Sequence, residues 1–128
     1  VSTTRTVIET PSVPRLGPYS QAIRAGDLIF VSGQAGLDPH TGAAAGESFA
    51  QQTRQAFENL RAVLDDAGSS MARVVKVTCF ISDASGFPIL NSLFAEYFPH
   101  APPVRSAPVV ALPRGLLFSI EAIALAGD

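Results

Sequence analysis

Tryptophan is absent from this chain, and cysteine occurs once, as Cys79. A lone thiol forms neither an intrachain disulfide nor a cysteine-rich metal site, and it fits a reducing compartment. The two histidines, His40 and His100, stand in separate proline-flanked stretches. Neither has metal-ligand spacing to the other or to acidic residues, so no metal is expected. Charge is scarce as well: 16% of residues are charged and the net charge is −2. That balance speaks against a nucleic-acid partner held by bulk electrostatics. No apolar run is long enough to cross a bilayer and nothing reads as a signal peptide, so no membrane partner and a cytoplasmic location are expected. No G-x-S-x-G elbow, phosphate loop, dinucleotide fingerprint or zinc motif occurs. Any catalysis has to run on Arg, Glu, Tyr, Ser and backbone groups, which points to light chemistry on a small anion without a cofactor.

What is present is apolar. Hydrophobic residues make up 47% of the 128 positions, and the mean hydropathy is +0.27. A chain of this length reads as one domain, residues 1–128, with a real core. So much apolar content with so little charge predicts surface that needs cover, as at an oligomer interface.

Taken in order, Arg5 to Glu9 alternates and predicts a short edge strand. The Pro- and Gly-rich run TPSVPRLGPYSQA predicts a loop, too apolar and aromatic to hang free. Ala22–Arg24 and Leu28–Ser32 flank Gly26-Asp27 as a hairpin, and LIFV reads as a strand covered on both faces. Ser48 and Gln51 form a capping box. Phe49, Thr53, Ala56, Phe57, Leu60, Val63 and Leu64 then follow helical spacing until Gly68. Arg73 to Ile81 is a strand. Asp83 or Ser85 caps a second helix with Phe87, Leu90, Phe94 and Tyr97 or Phe98 inward. A closing hairpin through Pro113-Arg114-Gly115 is expected to join two final strands. The order is β-β-β-α-β-α-β-β. Two helices cover only one face of such a sheet, so the face bearing Leu117, Ser119, Glu121, Ile123 and Leu125 is expected to meet other subunits.

The last quarter, PPVRSAPVVALPRGLLFSIEAIAL, carries a cation and a carboxylate that look buried, Arg105 and Glu121. Charges are costly there unless paired or used. A planar guanidinium grips a carboxylate through two parallel hydrogen bonds. A glutamate can order a water or move a proton, and burial would raise its pKa toward a useful range. The plainer reading is a structural ion pair at strand ends. A five-residue connection through the hairpin would put both groups on one side and a four-residue one would separate them. Tyr19 could line a pocket or simply pack. Ser32-Gly33 ends a strand where a ligand could approach the backbone, or is a plain turn. Asn91 is a polar position on the second helix, and Cys79 reads as a core residue.

The segments LGPYSQA, LIFVSGQAG, QTRQAFENLRAVLDDAG, VVKVTCFISD and LNSLFAEYFP, with RSAPVVALP followed by IEAIA, together resemble the reactive-intermediate deaminases. These are the Rid or YjgF-like family, often labelled endoribonuclease L-PSP. The likeness runs over nearly the whole chain. It implies a chorismate-mutase-like α+β fold, a sheet backed by two helices on one face, in a homotrimer with clefts between subunits. It also implies hydrolysis of 2-enamino and 2-imino acids, such as 2-aminoacrylate and 2-aminocrotonate, to 2-keto acids and ammonia. By position, Arg105 would bind the substrate carboxylate with help from the Ala107 N–H. Glu121 would hold the attacking water, and Tyr19, Ser32, Gly33 and Asn91 would line the cleft. An imine already reacts with water, so the enzyme need only hold the carboxylate, favour the imine tautomer and place the water. One departure stands out: family members commonly carry cysteine where this chain has Ala107. A non-catalytic 2-keto acid sensor is the alternative. A ribonuclease is weaker still, without a histidine pair, metal cluster or net positive charge.

Overall fold

Six strands form one sheet in the computed structural model, which describes residues 4–127. They are β1 (Arg5–Val7), β2 (Ala22–Ala25), β3 (Leu28–Ala35), β4 (Val74–Ile81), β5 (Val104–Ser106) and β6 (Phe118–Leu125), in the spatial order β1-β2-β3-β6-β4-β5. Two helices, α1 (Phe49–Asp66) and α2 (Phe87–Tyr97), complete the α+β fold. Helix α1 packs on β3 and β6, and α2 lies beside it.

Local chemistry explains the helix ends. The Ser48 hydroxyl accepts the Gln51 N–H at 3.1 Å while Gln51 Oε1 accepts the Ser48 N–H at 3.2 Å, closing the expected capping box. Gly68, at φ 75°, ends the helix in the left-handed region that glycine adopts freely. Asp83 caps a 3-10 turn over Ala84–Gly86 rather than α2 itself, accepting the Ser85 N–H at 2.8 Å. The α-helix then begins at Phe87 with Pro88 in its first turn, where a missing N–H costs nothing.

One face of the sheet is closed by an aromatic cluster. Phe57 is fully buried and meets the rings of Tyr97, Phe118, Phe98 and Phe94 at centroid distances of 4.9, 5.6, 6.1 and 6.3 Å. Phe118, Ile120, Ala122 and Ala124 face this layer and are buried, as period-two alternation requires. Helix and sheet meet closely at Gly36, where a Cβ would sit 2.2 Å from the Gln52 carbonyl oxygen, so no other residue fits.

The N-terminal loop is packed down as expected, through polar groups. Gln21 is buried, donates to the Val13 and Pro14 carbonyls at 2.9 and 3.0 Å, and accepts from the Thr10 hydroxyl. Ser12 donates to Asp66 of α1 through its hydroxyl at 2.9 Å.

Two expectations are corrected. The final strands do not form a hairpin: β6 runs antiparallel between β3 and β4, and β5 pairs in parallel with the far edge of β4. A central β6 satisfies both of its backbone edges, which a two-stranded hairpin cannot do. The expected hairpin turn is instead a 3-10 turn over Pro113–Gly115, with Arg114 at φ 61° and Gly115 at φ 67°. Leu28 to Val31, read as covered on both faces, is covered on one, and Phe30 stays 40% exposed. The fold supplies no second layer on that side.

Candidate active site

Strand β3 carries a bulge at the middle of the open face. Val31 pairs with Ala122 and Gln34 with Ile120, so Ser32 and Gly33 together oppose the single residue Glu121. Such a bulge bends the strand and re-aims side chains. On the other side of Glu121 lies Thr78, and beyond it Ser106. Strand pairing therefore lines up Ser32, Glu121, Thr78 and Ser106 as a polar row across four strands. The neighbouring row is apolar: Val7, Ile23, Phe30, Ile123 and Val104, interrupted by Lys76. Lys76 donates to the Thr78 hydroxyl at 3.3 Å.

A cavity of about 260 Å³ lies on this face, with Ser20, Phe30, Ser32, Glu121 and Ile123 in its wall. The Ser32 hydroxyl oxygen is buried without a hydrogen-bond partner among the described residues. Its N–H is already spent on the Gln21 carbonyl at 2.9 Å. Such an orphaned hydroxyl beside a carboxylate is a group for a ligand or water to satisfy.

Arg105 lies elsewhere. It pairs in register with Val77, which is buried under the helices, so its side chain leaves the sheet on the helix side. Its guanidinium stands 4.9 Å from the centre of the Phe94 ring on α2, a cation–π contact. Ala101, at φ 46°, and Pro102-Pro103 turn the chain sharply from α2 into β5 and set this direction. Ala107 is half-buried against the rim of the core, and Asn91 is exposed on α2 one turn before Phe94.

The reading of these two residues is thus corrected in one respect, burial, and the open question of side is answered. Arg105 and Glu121 are exposed, not buried, and they leave opposite faces of the sheet with β4 between β5 and β6. Neither forms an ion pair among the described residues. Hairpin register, on which the expectation turned, is irrelevant once β4 intervenes. Ser32 and Glu121 share one cavity. Tyr19, 43% exposed, and Gly33 line a second, larger one of about 370 Å³ at the end of β3. Arg105, Ala107 and Asn91 form a separate group at the β5–α2 edge.

Thr78, Ser106 and Ser20 were not anticipated. The signal for Thr78 was available, because Lys76 and Thr78 alternate with buried Val77 and Cys79 along β4. Cys79 is a core residue as expected; burial pushes its thiol up to about 12, against a weaker downward pull from the Arg105 cation. Such a thiol is not a nucleophile near neutral pH. Among the described residues no group of three or more His, Cys, Asp or Glu could hold a metal ion. No helix there is long and apolar enough to cross a membrane.

The chain has close relatives. Residues 10–126 match the family described as Endoribonuclease L-PSP. A RutC family protein from Pyrococcus horikoshii is 45% identical over 92% of this chain and 95% of its own length. The mouse protein named 2-iminobutanoate/2-iminopropanoate deaminase is 41% identical over 96% of this chain and 93% of its own. The crystal structure of the Rid family protein YyfA from Yersinia pestis superposes with a TM-score of 0.92 at 40% identity, covering 96% of this chain and 100% of that one. The chain belongs to the endoribonuclease L-PSP family, the Rid/YjgF proteins.

Proposed function

We propose that this protein hydrolyses 2-imino acids and their enamine tautomers to 2-keto acids and ammonia, at a site completed between copies of the chain. The observation that carries the reading is the bulge at Ser32-Gly33 against Glu121, which makes a carboxylate-bearing cavity beside an apolar row of the open face. The deaminase named among its relatives supports the choice of substrate.

The steps follow from the groups. Arg105 binds the substrate carboxylate by two parallel hydrogen bonds, and the Ala107 N–H supports it, since the following proline removes only its own donor. Glu121 orients a water and takes its proton as the oxygen attacks the imine carbon. The carbon–oxygen bond forms as the C=N π electrons move to nitrogen, giving a tetrahedral carbinolamine. Glu121 returns that proton to nitrogen. The C–N bond then breaks with its electrons on nitrogen while the hydroxyl oxygen forms the C=O bond. That oxygen gives its own proton back to Glu121, leaving ammonia and the keto acid. Ser32 and Tyr19 hydroxyls hold the polar end of this intermediate, and Asn91 lines the wall near Arg105. A protonated imine is electrophilic enough for water, so the sequence of steps uses neither metal nor cofactor.

Arg105 and Glu121 leave opposite faces of one chain, so a single copy does not present both to one small substrate. The apolar row Val7, Ile23, Phe30, Ile123 and Val104, exposed or half-buried, is the surface through which a second copy supplies the missing group. An edge-to-face contact repeated head to tail closes into a ring, and a homotrimer is the ring proposed.

The test uses 2-aminocrotonate generated in situ by a threonine dehydratase. The chain at micromolar concentration should accelerate its decay to 2-ketobutyrate, and Arg105→Ala should lose the acceleration with the assembly intact. An unchanged decay rate with the wild-type protein would sink the reading.

A further inference from the structure

We infer that Phe94 is a positioning residue for Arg105: its ring holds the guanidinium by the flat face and leaves the hydrogen-bonding edge free for a carboxylate. The inference rests on the proposed deaminase reading and adds to it how the carboxylate clamp is held ready.

The first ground is the way Arg105 is held. Its guanidinium lies 4.9 Å from the centre of the Phe94 ring, within the roughly 6 Å over which a ring face attracts a cation. Among the described residues it makes no ion pair and donates no hydrogen bond. A ring face offers no oxygen that competes for the N–H donors, so the whole fork stays available for two parallel bonds.

The second ground is a contrast with other arginines of the chain. Arg24, Arg73 and Arg114 donate to the Gly26, Ala126 and Gly42 carbonyls at 3.1, 3.1 and 3.2 Å. Arg54 and Arg61 stand over the Tyr97 ring, one turn on from Phe94, at 5.9 and 5.0 Å. Both are also paired, with Glu96 at 3.0 Å and with Glu58 at 3.1 Å. No carboxylate among the described residues plays that part for Arg105. On one helix, the Tyr97 ring serves paired cations and the Phe94 ring an unpaired one.

The third ground is rigidity. Phe94 is buried, and its ring packs on Phe98 and Phe57 at centroid distances of 4.7 and 6.3 Å. A cation resting on a ring locked into the core loses little freedom when it takes a ligand. Asn91 lies one turn earlier on α2. Platform, clamp and polar wall therefore meet at the β5–α2 edge.

The experiment measures KM and kcat on the imine made in situ from 2-aminobutyrate by an L-amino acid oxidase, with semicarbazide trapping as readout. Calorimetry gives Kd for 2-oxobutanoate on the same proteins. Phe94→Leu keeps an apolar side chain without a π face, and Phe94→Tyr keeps the face. Pentafluorophenylalanine, placed at position 94 by nonsense suppression, keeps the shape of the ring and removes the negative charge of its face. Phe94→Leu and the fluorinated ring should raise KM and Kd about three- to tenfold, the span from an exposed to a partly desolvated contact. Phe94→Tyr should stay within about twofold of wild type, because its face attracts a cation as well. In all three proteins kcat should hold within about twofold, as expected when binding alone is weakened. The fluorinated protein should unfold in urea as wild type does, so a ring with a packing role only would leave its KM and Kd unmoved. Unchanged KM and Kd in the fluorinated protein, or a loss that falls on kcat alone, would overturn the inference. If wild-type protein accelerates nothing, the deaminase reading fails and Kd alone decides. The same rise in Kd then sustains the role of the ring; equal or absent binding overturns it.

Discussion

On the helix side of β6, Phe118, Ile120, Ala122 and Ala124 are all buried, whereas Ser119, Glu121, Ile123 and Leu125 on the other side are half-buried or exposed. The same strand supplies both sets by alternation alone. The helix side is finished: an aromatic cluster round Phe57 fills it, and α1 is tied in by buried amides such as Asn59. The open side is unfinished, with Phe30 at 40% and Val104 at 67% exposure beside an unpartnered serine hydroxyl and a carboxylate. One face holds the chain together, and the other carries Ser32 and Glu121 of the proposed site.

The sharpest way to break that contrast is to cut one large side chain on each face. Phe57→Ala should cost about 3–5 kcal/mol in urea unfolding, because a fully buried ring leaves a cavity. Phe30→Asp should change the unfolding free energy of the single chain by no more than about 0.5 kcal/mol and instead dissociate the proposed trimer in sedimentation velocity. Equal destabilisation by the two would erase the distinction between the faces.

Next in size, Glu121→Gln should lower kcat about 100-fold or more, the usual worth of a positioned base. Its unfolding curve should match wild type, since Glu121 is exposed and makes no ion pair among the described residues. Retained activity would move the water-holding role to another group. Arg105→Lys should lower kcat/KM roughly 10- to 100-fold, mostly through KM, as a bidentate charged contact is lost. A change confined to stability would return Arg105 to the structural role that its stacking on Phe94 also allows.

The smallest effect belongs to the closed face. Burial raises the Cys79 thiol from an ordinary 9.0 to about 12 in the folded chain. Between those values the unfolded thiol has lost its proton while the folded one keeps it. Stability therefore falls as pH rises through that window. Cys79→Ala should flatten the slope of Tm against pH above 9. A slope identical to wild type would show that Cys79 contributes nothing to alkaline unfolding.

Much of this was legible in residue order. The capping box at Ser48, the stop at Gly68 and the stripe Phe57, Leu60, Leu64 are local signals, and local chemistry decides them. The period-two pattern of β6 told which residues face the helices, though not what covers the rest. The candidate site was named from residue types and, through the family likeness, by position. Its geometry was not legible. Thr78 escaped notice because its importance comes from a partner 43 positions away, Glu121.

The sequence by itself determined the α+β class, the two helices, the faces of the strands and an apolar excess in search of cover. These depend on periodicity and composition, which the chain carries residue by residue. Only the tertiary structure decided that β4 lies between the last two strands, and hence that Arg105 and Glu121 point to opposite sides. Strand order is a choice among long-range pairings with similar local signals, settled by which arrangement satisfies most backbone edges and buries most apolar surface together. That choice put Arg105 and Glu121, read together in the sequence, on opposite faces of one chain.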